Sequence, residues 1–244
     1  MAIRKKAEVE FPQLSQDLIW QVSSGAHHDP HSVLGAHPHE KGWVIRALRP
    51  LATSVHAILG KTKVELTHSF NGIFEGTVSG KTVPNYTIHA QYDEGEWLGD
   101  DPYHHLPTVG ELDLHLIGEG RHEQLWEVLG AHVRTYQTTI GIVSGVSFAV
   151  WAPNADRVSV VGDFNAWDGR VHPMRSLVPS GIWEIFIPGL GSGTKYKYEI
   201  LTKSGQWITK IDPLARHTET PPSTASIVTE SFHKWNDGSW LEKR

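Results

Sequence analysis

"TKYKYEIL", Thr194 to Leu201, decides the fold class. Tyr196, Tyr198 and Ile200 share one parity; Lys195, Lys197 and Glu199 share the other. A period of two is that of a β-strand with one buried and one wet face. Outward from it, "RVSVVGD" (Arg157–Asp163) and "GIWEIFIP" (Gly181–Pro188) are β-branched and aromatic runs bounded by Gly, Pro and Asn. "APNA" (Ala152–Ala155) and "KSG" (Lys203–Gly205) carry turn chemistry. Short strands at this spacing, without βαβ alternation, predict an immunoglobulin-like sandwich.

The same grammar occurs twice. "LGAH" stands at Leu34–His37 and at Leu129–His132. "IRALRPLATSVHAILG" (Ile45–Gly60) parallels "FAVWAPNADRVSVVG" (Phe148–Gly162), with Pro50 against Pro153. "GIFEGTV" from Gly72 parallels "GIWEIFI" from Gly181, and "YTIHA" from Tyr86 parallels "YKYEI" from Tyr196. "EGEWLGDDP" and "KSGQWITKIDP" set Trp97 against Trp207 and Asp101 against Asp212. Matches in constant order mark a duplicated unit of roughly 100 residues, the size of one such sandwich. The expectation is an all-β chain: two tandem immunoglobulin-like sandwiches from an internal duplication, with short linking helices. Residues 1–106 form the first sandwich with a leading helix, 107–132 a helical linker, 133–232 the second sandwich and 233–244 a tail. "SQDLIWQVSSG" predicts the leading helix, with Ser15 as N-cap and Gly25 as stop. "EGRHEQLWEVLG" predicts the second, stopping at Gly130.

Composition narrows the function. Of 244 residues none is cysteine, and the net charge is −5. There is no thiolate chemistry, and no basic footprint for nucleic acid beyond "RKK" at Arg4–Lys6, read as a solvated N-terminus. No signal-peptide core or membrane-length apolar run occurs, so the expected setting is cytoplasmic, without membrane or nucleic-acid partners. Sixteen histidines and ten tryptophans stand out. The patch from His27 to His39 is broken by Pro30 and Pro38, and "HEQLW" has Trp126 where a metalloprotease motif needs its second histidine. No metal site and no cofactor are expected. "GLGSG" (Gly189–Gly193) is followed by a strand rather than a helix and reads as a hairpin loop, not a phosphate cradle.

"VVGDFNAWDG" (Val160–Gly169) admits two chemistries. Asp163 and Asp168 could be an acid–base pair, which needs one carboxyl with a raised pKa. On an exposed loop nothing desolvates one of them selectively, so turn aspartates are the simpler reading. The alternative is a sugar ledge. An indole face stacks on the C–H face of a pyranose while polar groups hold its hydroxyls. Trp167 on its loop, Trp207 beyond a hairpin and Lys197 on a wet strand face suit that role. Trp151 and Trp183, within apolar runs, read as core.

With these motifs in view, "FAVWAPNADRVSVVGDFNAWDGRVHPM", "GIWEIFIPG" and "YKYEI" resemble the carbohydrate-binding module family 48 domain of bacterial 1,4-α-glucan branching enzymes. "DPHSVLGAHP" resembles the extra N-terminal sandwich that many of them carry. The resemblance implies a noncatalytic N-terminal part of such an enzyme, forming α-1,6 branches in glycogen biosynthesis. A catalytic (β/α)₈ barrel, following this chain, would be its partner. No residue here is implied as catalytic. The family's glucan contacts map onto Trp167, Lys197, Trp207 and Thr224, with Ser226 where an asparagine is expected, which implies weak binding of α-1,4-glucan. The first copy keeps Trp97 but has Thr87 opposite Lys197 and nothing like "FNAW" after Gly60. It is expected to bind glucan poorly, and either to pack against the second copy or to shape how long a glucan chain is presented to the catalytic domain. A stand-alone glucan-targeting module and a purely structural tandem sandwich are the competing readings.

Overall fold

Alternating strands and Gly/Pro turns build two sandwiches in the computed structural model, which describes residues 14–40, 42–138, 141–234 and 236–244. Arg4–Lys6 lie outside the described residues. Helix α1 (Gln16–Ser23) leads, with the Ser15 hydroxyl accepting from the Leu18 N–H at 3.2 Å. Gly25 follows at φ 69°, a left-handed stop that glycine adopts without strain.

The first sandwich comprises β1 (Gly35–His39), β2 (Gly42–Leu48), β3 (Ser54–Leu59), β4 (Thr62–Phe70), β5 (Ile73–Ser79), β6 (Thr87–Tyr92) and β7 (Gly95–Asp100). Every neighbour is antiparallel in the order β1-β2-β5-β4-β3-β6-β7. The long strand β4 pairs with β3 along its first half and with β5 along its second, joining the two faces into one folded sheet.

Between the copies lie α2 (Glu111–Gly118) and α3 (Leu125–Val128). Helix α2 was not expected from the sequence. Its Leu112, Leu114 and Leu116 alternate with polar residues and mimic a strand. The helices cover Ala149 and Ile182 on the outer face of the next sheet.

The second sandwich has β8 (Gly130–Thr138), β9 (Gly141–Trp151), β10 (Ala155–Gly162), β11 (Arg175–Leu177), β12 (Ile182–Pro188), β13 (Lys195–Thr202), β14 (Trp207–Lys210), β15 (His217–Thr218) and β16 (Ser226–Ile227). One sheet runs β11-β12-β9-β8. The other runs β10-β13-β16-β15, with β14 sharing the same edge of β13. A short helix, α4 (Gly238–Leu241), ends the chain. The "GLGSG" segment is not a hairpin: it crosses from β12 in one sheet to β13 in the other. Trp183 is buried, but Trp151 is 58% exposed. Trp151 sits on the outer face with Ala149, beyond the cover that α2 and α3 supply.

The duplication is visible bond by bond. Gly72 (φ 89°) passes Pro50 so closely that a Cβ would lie 2.9 Å from its Cα. Gly181 (φ 75°) passes Pro153 in the same way, a Cβ falling 2.8 Å from its Cβ. His37 and His132 each place Nε2 2.9 Å from a leucine carbonyl three residues back. The Tyr86 hydroxyl donates to Asp101 at 2.7 Å, and the Tyr196 hydroxyl to Asp212 at 2.6 Å. The sandwiches also share apolar packing. Val22, Leu34 and Tyr103 from the first part belong to one buried cluster with Val160, Met174 and Tyr196 from the second. The Tyr103 hydroxyl donates to the Val171 and Pro173 carbonyls at 3.3 and 3.4 Å.

Candidate glucan-binding face

Strand β13 has two faces, as its alternation predicts. Tyr196 and Tyr198 are fully buried. Lys195, Lys197, Glu199 and Leu201 point the other way. On this outer face Lys195 pairs with Glu219 at 2.7 Å, and the Lys197 ammonium donates to the Thr224 hydroxyl at 2.8 Å. An ammonium has three N–H groups, so two of those on Lys197 remain for other acceptors. Trp207 lies directly opposite Leu201 in β14, which puts its indole on the same face, and it is 52% exposed. Four residues of extended chain separate Lys197 from Leu201, about 13 Å along the strand. The Arg157 guanidinium lies 5.5 Å from the Trp207 ring centre.

Trp167 stands on the loop after β10, the strand beside β13. Gly162, the last residue of β10, pairs with Tyr196, and its carbonyl accepts from the Trp167 N–H at 3.0 Å. The loop is held by Asn165, which the sequence reading passed over. Its Oδ1 accepts from the Gly162 N–H at 2.9 Å. Its Nδ2 donates to the Val160 carbonyl at 2.9 Å and lies 3.0 Å from His172 Nδ1. An amide among turn residues is commonplace, so nothing in its type marked it. The clamp holds Ala166 and Trp167 at φ 52° and 60°, a left-handed backbone that costs side-chain-bearing residues roughly 1–2 kcal/mol each. The indole is 39% exposed, and its N–H donates to Asp163 Oδ1 at 2.9 Å.

That bond answers the acid–base question for Asp163: its carboxylate orients a ring. Asp168 is gripped by Arg170, Nε to Oδ1 at 2.9 Å and Nη2 to Oδ2 at 2.6 Å. Burial pushes the Asp168 pKa up, but the hydrogen bonds and charge of Arg170 outweigh it and hold it below the usual carboxylate value. A proton donor needs the opposite shift. Beside them Gly169 packs against the Glu199 carboxylate.

Ser226 does not reach the surface. It is fully buried, and its Oγ accepts from the Asp212 N–H at 2.9 Å. Thr224, two residues earlier, is exposed. Trp97 of the first sandwich is placed differently from Trp207. It pairs with Ala90, whose side chain is buried in the core, and it packs against that core. Among the described residues no group of three His, Cys, Asp or Glu side chains could hold a metal ion. None of the described helices is long and apolar enough to cross a membrane.

Residues 15–103 match the family described as "alpha-1,4-glucan branching enzyme GlgB, N-terminal domain". Residues 128–215, the portion with β13 and the Trp167 loop, match carbohydrate-binding module 48, the isoamylase N-terminal domain. The chain carries a branching-enzyme N-terminal domain followed by a family 48 carbohydrate-binding module. It is 55% identical over 234 residues to a 1,4-alpha-glucan branching enzyme of Frankia casuarinae, covering 95% of this chain and 29% of that protein. It is 50% identical to that of Thermobifida fusca, covering all of this chain and 34% of the relative. The chain thus spans about a third of the length of these relatives. Among solved structures, a pullulanase of Bacillus subtilis complexed with maltose matches 82% of the chain and 27% of the pullulanase, at 16% identity and a TM-score of 0.36.

Proposed function

We propose that the family 48 module binds α-1,4-glucan on the outer face of β13 and presents it to the catalytic barrel of a cytoplasmic 1,4-α-glucan branching enzyme. The observation that carries this reading is the outer face of β13, where the exposed Trp207 indole stands with the Lys197 ammonium bound to the Thr224 hydroxyl, while Trp167 is half-exposed on the loop that leaves the neighbouring strand β10. Trp167 and Trp207 offer stacking surfaces. Lys197 and Thr224 offer hydrogen bonds. Ser226, turned inward, contributes to the strand rather than to sugar. In this reading residues 1–106, 107–132, 133–232 and 233–244 act as first sandwich, linker, binding module and a tail towards the barrel. No residue of the chain performs the transfer, so the chain alone forms no branches on amylose.

Native electrophoresis through gels containing amylose or glycogen tests the reading. The wild-type chain is retarded. Unretarded migration would mean a purely structural tandem sandwich.

A further inference from the structure

A cleft of about 330 Å³ opens between the two sandwiches. One wall is Arg49, Tyr92 and Trp97 of the first sandwich; the other includes Phe164, Asn165 and Asp168, from the loop that carries Trp167. The register that pairs Trp97 with Ala90 leaves its indole lining this cleft.

The polar groups here are mostly engaged. Asn165 spends its amide within the loop, and Asp168 is held by Arg170. Arg49 is engaged only in part. It is 3% exposed, and its guanidinium lies 4.0 Å over the Trp97 ring. Nη1 donates to the Leu48 carbonyl at 3.1 Å, while among the described residues Nε and Nη2 have no hydrogen-bond partner. The buried Asp101 carboxylate is near enough to feel the Arg49 charge, but its hydrogen bonds come from the Tyr86 hydroxyl and the Tyr103 N–H and not from Arg49 Nε or Nη2. A buried cationic donor without an acceptor is costly, and an incoming acceptor gains what is missing.

The walls are mainly apolar and aromatic, and the volume is at the small end of ligand pockets, about 300–1,000 Å³. A ligand that fits is small, has C–H faces for the rings and carries oxygen acceptors for Arg49. We propose that this cleft receives the end of an α-1,4-glucan, one or two glucose units, with Arg49 donating to a sugar hydroxyl and Tyr92 and Trp97 flanking the ring. The inference rests on the glucan reading of the β13 face. The two sites meet at one loop, which presents Trp167 to the ledge and Phe164 to the cleft.

The test is a maltose titration of the ¹⁵N-labelled chain, following the indole N–H signals of Trp97 and Trp207. In the wild type the Trp97 signal moves saturably. Arg49→Met keeps the stack on Trp97 but removes the donors, and raises the maltose Kd read at Trp97 at least about ten-fold, as expected for a hydrogen bond from a charged group. Should Arg49→Met fail to give a dispersed spectrum, Tyr92→Ala, at a half-buried residue, decides by the same readout. In Trp207→Ala the Trp97 response persists although retardation in amylose gels is lost. If Trp207 responds to maltose and Trp97 does not, the cleft proposal fails and the ledge stands. If neither responds, the glucan reading fails and the cleft with it. A Trp97 shift with inorganic phosphate but not maltose would make the cleft an anion site and overturn the proposal.

Discussion

Trp97 pairs with Ala90, whereas Trp207 pairs with Leu201, one register step away from the equivalent place. Because side chains alternate across a strand, that step sends the two indoles to opposite faces of their sheets. Trp207→Ala therefore abolishes retardation in amylose gels and leaves the melting temperature nearly unchanged. Trp97→Ala largely keeps the retardation but destabilises the chain by about 2–4 kcal/mol, the cost of truncating a large, packed aromatic. Equal loss of retardation in both variants would overturn this division.

Asn165 governs whether Trp167 is presented at all. Asn165→Ala leaves the buried Gly162 N–H and Val160 carbonyl without their side-chain partner, each costing about 1–3 kcal/mol. Denaturant melts should show that loss together with loss of gel retardation. Asp163→Ala removes only the bond to the indole N–H, and weakens glucan binding about three- to ten-fold at unchanged stability.

Glu184 is fully buried in β12 and accepts from Thr108 N–H at 3.1 Å, from the Thr108 hydroxyl at 2.8 Å and from Arg175. It fastens the linker to the second sandwich. Glu184→Ala strands the Arg175 charge and costs about 3–5 kcal/mol, measured by urea unfolding. A loss under 1 kcal/mol would show that the clamp contributes little.

Protonation of two buried histidines should weaken the junction between the sandwiches in acid. Burial, with the nearby Arg175 charge, pushes His31 down to about 2; burial, with His104 and Arg175, pushes His105 down to about 4. Their folded pKa values lie below the unfolded value near 6.5. The stabilisation is thus complete above that value and falls as the pH drops from it towards the folded pKa, by at most about 1.4 kcal/mol per pH unit for each group. The buried Asp101 and Asp212, raised chiefly by desolvation, act in the opposite sense. The comparison that isolates the histidine is His31→Gln against wild type. The stability difference between pH 7 and pH 5 should shrink in the variant. An unchanged difference would mean that His31 is not buried neutral.

The duplication was legible because turn chemistry is local. Pro50 with Gly72 and Pro153 with Gly181 are backbone requirements that show in the letters. The two faces of β13 were legible for the same reason. The orientation of Trp97 was not. It and Trp207 each lie eleven residues after the aligned tyrosines, Tyr86 and Tyr196, and only the pairing across their hairpins separates them. Trp151 misled because an apolar run does not say which sheet face is covered, and here the cover is α2, itself disguised as a strand. Ser226 occupied the expected position in the sequence but faces inward, a matter of parity in a two-residue strand.

Strand β10 would be an open sheet edge, and open edges recruit other chains. Here the segment around Pro173 lies along it: the Val160 N–H donates to the His172 carbonyl at 3.2 Å, and the Met174 N–H to the Val158 carbonyl at 2.9 Å. Pro173 itself has no N–H to offer a further strand. The Tyr103 hydroxyl, reaching over from the first sandwich, binds this segment at its Val171 and Pro173 carbonyls. The first sandwich thereby helps to hold the cap on that edge: a module cut free of it keeps the Pro173 segment but loses the Tyr103 bonds that fasten it, and should open that edge to other chains more readily than the paired sandwiches do.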